Sequence, residues 1–125
     1  MRAYSTTVVA DALGVDRRWL DSVIAQNHID GVQSERQGVS RAISPAAVLT
    51  IAVAMELMEA LQTPIAGALH LAKSLLLDAG EHSPAEGMTL RVDVHSIERR
   101  MAGRLTEAVE AHPPPRRGRP PLTRR

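Results

Sequence analysis

Cysteine and phenylalanine are absent from the 125 residues, and one tyrosine (Tyr4) and one tryptophan (Trp19) are the only aromatic side chains. The missing thiol excludes disulfides, thiolate metal sites and a cysteine nucleophile. With almost no aromatic volume, a core must be built from Leu, Val, Ile, Ala and Met, a composition that favours helices over a β-sandwich. Long hydrophobic runs are missing too. The most apolar stretch, Ala46 to Met55, is far short of a membrane span, and the opening MRAYSTTVVADALG sets Asp11 inside its only apolar run, which makes a poor signal peptide. A soluble cytoplasmic protein with no membrane association is expected. His28, His70, His82, His95 and His112 are scattered without HxxxH spacing, and there is no P-loop, GxGxxG turn or obvious pair of carboxylates. Ser22, Ser34, Ser40 and Ser74 have no recognisable base beside them. Neither a metal, a cofactor nor enzymatic chemistry is expected.

What is present is a helical chain with an uneven charge. A chain of this length holds one domain with a modest core. In TTVVADALGVDRRWLDSVIAQ, Val8, Val9, Ala12 and Leu13 fall on one helical face, and Trp19, Leu20, Val23 and Ile24 repeat the spacing. Two short amphipathic helices therefore share a core. Ser5, Thr6 or Thr7 can cap the first, Gly14 supplies its left-handed stop, and Asp16 is a suitable N-cap for the second.

A turn this short is what a helix-turn-helix needs. Ala10 is small where the helices must cross closely, Gly14 follows four residues later, and Val9, Leu13, Val15, Leu20 and Val23 occupy positions that the motif makes apolar. Next comes NHIDGVQSERQGVSRAISPAAVL, where Gly31 and Gly38 punctuate two potential short strands near Val32 to Ser34 and Val39 to Ile43. Ser44 and Pro45 then open a helix as N-cap and N1. Over about the first 77 residues this order resembles the winged DNA-binding domain of the MerR superfamily. The resemblance implies a second helix in the major groove and a wing along the backbone. The sequence departs from it where many MerR-type regulators carry an Arg and a pair of Tyr residues on the second helix; here stand Asp21, Ser22 and Val23.

By position, Arg17 and Arg18 begin the recognition helix, and Arg36 and Arg41 stand in the wing. Arginine there can clamp phosphate or read guanine through its planar fork. Arg18, Asp21, Ser22, Ala25 and Gln26 share the face opposite Trp19, so Arg18, Ser22 and Gln26 are the base-facing candidates. Against this stands a plainer reading: residues 1–43 hold five arginines and five acids, and Arg17 with Asp21 has the spacing of an i,i+4 surface pair.

The rest of the body looks structural. SPAAVLTIAVAMELMEAL is apolar on nearly every face, so its helix must be enclosed by its own domain or by a partner subunit, and a homodimer interface is expected there. Thr63 and Pro64 repeat the cap signal before a helix with Ile65, Leu69, Ala72 and Leu76 on one face, His70 as a core or interface residue, and Gly80 as a stop. Glu81 to Gly87 reads as a loop, residues 88–94 as a single half-buried strand that could join the wing sheet or pair with its twin across a two-fold axis, and Ser96 as the cap of a last helix carrying Ile97, Met101, Leu105 and Val109. That helix is much shorter than the coiled coil by which many MerR-type regulators dimerise.

The chain ends PPPRRGRPPLTRR, with five arginines and no acid, whereas all 14 acidic side chains lie upstream beside ten basic ones. Three prolines favour an extended connector without secondary structure. Arg117-Gly118-Arg119-Pro120 resembles the core of an AT-hook, which implies arginines running along a narrow A/T minor groove, with Arg116 adding a phosphate contact. The flanks lack the lysines common in such hooks, which leaves a generic electrostatic arm as the alternative.

The expected fold is thus mainly α: a winged helix-turn-helix head (1–43) with a small β-hairpin wing, a helical core and dimerisation region (44–111), and a disordered Pro/Arg-rich tail (112–125). The expected function is sequence-specific binding of double-stranded DNA, as a nucleoid-associated transcription regulator of bacterial or phage type. Two alternatives stay open: a DNA-architectural factor, such as an excisionase or a phage packaging recognition subunit, and an antitoxin or protein-interaction module whose apolar helix binds a protein partner.

Overall fold

The computed structural model describes residues 3–33 and 41–113. These form five helices, α1 (Thr6–Leu13), α2 (Arg17–Gln26), α3 (Pro45–Leu61), α4 (Ile65–Leu77) and α5 (Val94–Ala111), with two antiparallel strand pairs. The strands are β1 (Val32–Gln33), β2 (Ala42–Ile43), β3 (Glu81–Ala85) and β4 (Met88–Arg91). The chain is therefore mainly helical, an arrangement compatible with a winged helical fold.

Local chemistry sets the first half. The Ser5 hydroxyl accepts from the Val8 N–H at 3.2 Å and caps α1, settling the choice among Ser5, Thr6 and Thr7. Gly14 ends α1 at φ 72°, its N–H reaching back to the Ala10 and Asp11 carbonyls. Asp16 then caps α2 by accepting from the Arg18 N–H at 3.1 Å. β1 and β2 pair as Val32 with Ile43 and Gln33 with Ala42, and Tyr4 bridges Ile43 from the other side. The backbone of residue 4, ahead of α1, is thus stitched to β2 by two hydrogen bonds of 2.8 and 2.9 Å. The expected strands near Val32 to Ser34 and Val39 to Ile43 are present at their outer ends; the turn between them, with Arg36 and Gly38, lies outside the described residues.

α3 is the centre of the molecule. Ser44 and Pro45 begin it as expected, the Ala47 N–H bonding the Ser44 hydroxyl at 3.1 Å. Ala47, Val48, Ile51, Ala52, Val53, Ala54 and Leu57 are buried around its circumference. The enclosure comes from the chain itself: α4 packs most extensively against α3, α5 lies on another side, and α1 packs on α5. Val9, Leu20, Ile43, Ile51, Val53 and Leu75 all sit at zero exposure in one contiguous core drawn from α1, α2, β2, α3 and α4. Ile97, Met101, Leu105 and Ala108 of α5 close it.

The second half corrects several expectations. Residues 81–87 are not a loop: β3 pairs with β4 as a hairpin through the turn Glu86–Gly87, so β4 joins its immediate neighbour and not the β1–β2 pair. The strand expected over 88–94 ends at Arg91, because Val94 already opens α5 under a cap from Asp93, whose carboxylate accepts from the Ser96 N–H at 3.1 Å. Ser96 is therefore the capped residue, not the cap. Thr63 does not cap α4; Pro64 takes the N-cap position without a side-chain bond, and the Thr63 hydroxyl is buried with no partner among the described residues. On α4 the buried face is Ala68, Leu69, Ala72 and Leu75, which leaves Leu76 half-buried and His70 exposed.

A tight contact joins the two halves. Gly31 lies at φ 93°, its carbonyl accepts from the Ser44 N–H at 2.9 Å, and a methyl group there would collide with the Ser44 hydroxyl. Beside it, the Lys73 ammonium and the His28 ring hold the exposed Asp30 carboxyl below its ordinary value, tethering this turn to α4. That small contribution is present above the ordinary carboxylate range and fades as pH falls through the lowered value. Gly31→Ala should lower stability by about 1–3 kcal/mol through backbone strain and displacement of the α3 cap. Gly14→Ala, with open space around its missing side chain, should lose only about 1–2 kcal/mol from its left-handed backbone. Urea titration of both variants measures the difference.

Candidate nucleic-acid interface

The outward surface of α2 is built by its own periodicity. Leu20 and Val23 are buried and Trp19 and Ile24 half-buried, so Arg18, Ser22, Ala25 and Gln26 face solvent together. Ser22 and Gln26 are joined by a 3.1 Å bond from Gln26 Nε2 to Ser22 Oγ. That bond leaves the Gln26 carbonyl oxygen and one of its N–H groups unused on the surface.

Arg17 and Arg18 stand in the first turn, where a cation is opposed by the positive end of the helix dipole. Two acids offset that cost. Asp16 caps the turn, and Asp21 lies one turn on with its carboxylate between two guanidinium groups. Arg41 Nη1 donates to Asp21 Oδ1 at 2.7 Å, while Arg17 Nε lies 3.7 Å from Asp21 Oδ2. Arg17 also donates from Nη1 to the Thr7 hydroxyl at 3.1 Å, tying the start of α2 to α1.

The candidates thus divide by their surroundings. Arg41 is only 16% exposed, its Nε is buried without a partner among the described residues, and its bond to Asp21 fixes the start of β2 against α2. It braces the surface more than it extends from it. Arg17 is 62% exposed and partly engaged, so it can turn outward if its weak pair with Asp21 opens. Arg18 makes no side-chain ion pair among the described residues. Arg36 and the tail residues Arg116, Arg117, Gly118, Arg119 and Pro120 lie outside the described residues.

Among the described residues, the acids near this surface are all engaged. Besides Asp16 and Asp21, Asp30 binds Lys73 at 3.3 Å and His28 at 3.0 Å, and Asp11 lies 3.0 Å from His112 Nε2. The last contact joins the end of α5 to α1, so the chain leaves the described fold beside the α1–α2 pair. Asp21 as a hub for two arginines was not readable in sequence; only its i,i+4 relation to Arg17 was, because Arg41 is 20 residues away. Thr7 was seen as a possible cap and serves instead as an acceptor for Arg17.

Among the described residues, no group of three or more His, Asp or Glu side chains could hold a metal ion, and no single helix is long and apolar enough to cross a membrane. Comparison with protein-family models, curated proteins and solved structures returns no match.

The contrast between Arg41 and Arg18 can be measured without a ligand. Asp21→Asn removes the charge opposite the nearly enclosed Arg41 and should reduce unfolding free energy by about 1–2 kcal/mol. Arg18→Ala should change it by less than about 0.5 kcal/mol. Equal losses in denaturant titrations would contradict the division into brace and free cation.

Proposed function

We propose that this chain binds double-stranded DNA, with α1 and α2 acting as a helix-turn-helix and α2 entering the major groove, as a transcription regulator would. The observation that carries the proposal is the outward face of α2. Arg18 is an exposed guanidinium without an acidic partner among the described residues, on one surface with the Ser22–Gln26 pair, while neighbouring Asp21 is occupied by Arg41 and Arg17. Arginine offers a bidentate match to guanine, and glutamine to adenine. The short turn through Gly14, the Asp16 cap and the β1–β2 pair braced on α2 by Arg41 supply the rigidity that base reading requires.

The described head offers little free positive charge for phosphate, since its four aspartates answer three arginines. In this proposal the tail supplies the missing electrostatic attraction. Arg117, Gly118, Arg119 and Pro120 lie in an A/T minor groove, and Arg116 contacts phosphate. The Asp11–His112 contact supports it by starting the tail beside α1. The protein-partner alternative finds less apolar surface on α3, because seven of its residues, from Ala47 to Leu57, are buried against the chain's own helices.

Selection from a random duplex library tests this, using the full chain and a version ending at His112. One recovered motif from both, flanked by A/T only with the tail, is the expected result. For that site Arg18→Ala should weaken binding by about 1–3 kcal/mol and relax one base position. Removing the five tail arginines should reduce the slope of log affinity against log salt by at most about 4.5. Failure of either version to enrich any motif, with binding lost as salt rises, would contradict sequence reading by α2.

A further inference from the structure

The β3–β4 hairpin has two edges of different character. β3 contains Pro84 and an irregularity between His82 and Ala85, both of which blunt a strand edge against further pairing. β4, Met-Thr-Leu-Arg, has neither proline nor bulge, and its outer edge pairs with no strand among the described residues. The ladder shows which groups that edge presents. Val92 donates to the Gly80 carbonyl at 2.8 Å, so Val92 and Leu90 aim their backbone groups inward at β3. Alternation then aims the N–H and C=O of Thr89 and Arg91 outward.

We infer that a second copy of this chain covers this edge, its β4 adding antiparallel to the first about a two-fold axis through Leu90. Hydrogen bonding selects the register. With Leu90 opposite its twin, Thr89 of each copy faces Arg91 of the other, and these two pairs satisfy every outward backbone group of both residues. Sliding the strands to bring Arg91 opposite Arg91 places like charges together, which is destabilising. In the Leu90-centred register each Arg91 keeps Glu81 of its own hairpin, bound at 2.6 Å, on one side and meets an uncharged threonine on the other.

The side chains agree with that register. Met88, Leu90 and Val92 share one face of the strand, and the pairing sets Met88 of each copy opposite Val92 of the other. The same stretch borders an open groove of about 340 Å³ walled by Leu57, Leu61 and Ile97. Met88 is 58% exposed and Leu61 46%, two of the three large hydrophobic side chains most open to solvent among the described residues. The pairing covers part of that surface and turns two isolated hairpins into one four-stranded sheet, which removes the marginal state of a two-stranded ribbon. The inference rests on the hairpin and is independent of DNA binding.

The experiment combines solution mass with a cross-link. The full chain should sediment at twice its 13.5 kDa mass, and Thr89→Pro should halve that value while leaving the far-ultraviolet circular dichroism unchanged. The proline removes an N–H that points away from β3 and the exposed Thr89 hydroxyl that meets Ser83 at 3.3 Å, while the backbone ladder of the hairpin is kept. Because the chain has no cysteine, Leu90→Cys places a single thiol beside its twin at a spacing a disulfide spans, and mild oxidation should convert most of the protein to a covalent dimer. A chain that stays monomeric at 100 micromolar (about 10⁵-fold above nanomolar affinity) would overturn the inference. So would a dimer that Thr89→Pro leaves intact and Leu90→Cys does not cross-link.

Discussion

A helix that is apolar on nearly every side cannot face water, and the fold follows from enclosing α3. Seven of its residues are buried around the full circumference, so no single neighbour could have covered it. The remaining elements supply the cover: α4 returns along it after a sharp turn, α5 lies on another side, and α1 packs on α5. Burial of each large aliphatic side chain is worth about 1.5–3 kcal/mol, and these contacts replace the aromatic volume that the composition lacks. The surface of α2 inherits its rigidity from this arrangement, because Leu20 and Val23 anchor it to the same core.

Charge shows a second layer of order. Every aspartate around α1 and α2 serves the structure. Asp16 caps α2, Asp21 joins Arg41 to Arg17, Asp30 holds the turn before β1 to α4, and Asp11 meets the end of α5. Exposed pairs of this kind contribute little to stability individually. Their effect is placement. They draw negative charge into contacts that connect elements and leave the outward face of α2 with a guanidinium and two neutral hydrogen-bonding side chains. An electrically balanced sequence can therefore present an unbalanced surface.

At most of the helix ends whose determinants are local, the sequence could be read directly; Thr63 and Ser96 are the exceptions. Ser5, Gly14, Asp16, Ser44 and Pro45 act within a few residues of their own helix, and all five do what helix chemistry requires. The apolar spacing of α2 likewise identified its exposed face. Reading failed where the partner was distant or the pattern weak. β3 alternates poorly, with four of its five residues exposed, so only the hairpin pairing reveals it as a strand. Asp93 outcompeted Ser96 as a cap because the chain leaves β4 early, and Leu75 replaced Leu76 on the buried face once α4 met α3. The Asp21–Arg41 bond joins residues with no periodic relation, which is why the contact of Arg41 with α2 was not legible in the sequence.

Amide chemical-shift mapping tests the proposal that the α1–α2 surface reads DNA. Titrating a selected duplex into isotopically labelled full-length protein should perturb the amides of residues 16–26 and those near residue 41 first. The β3–β4 hairpin and the α3–β4 groove should stay unchanged. Perturbations concentrated on that groove, or confined to the arginine tail with α2 unmoved, would contradict the account.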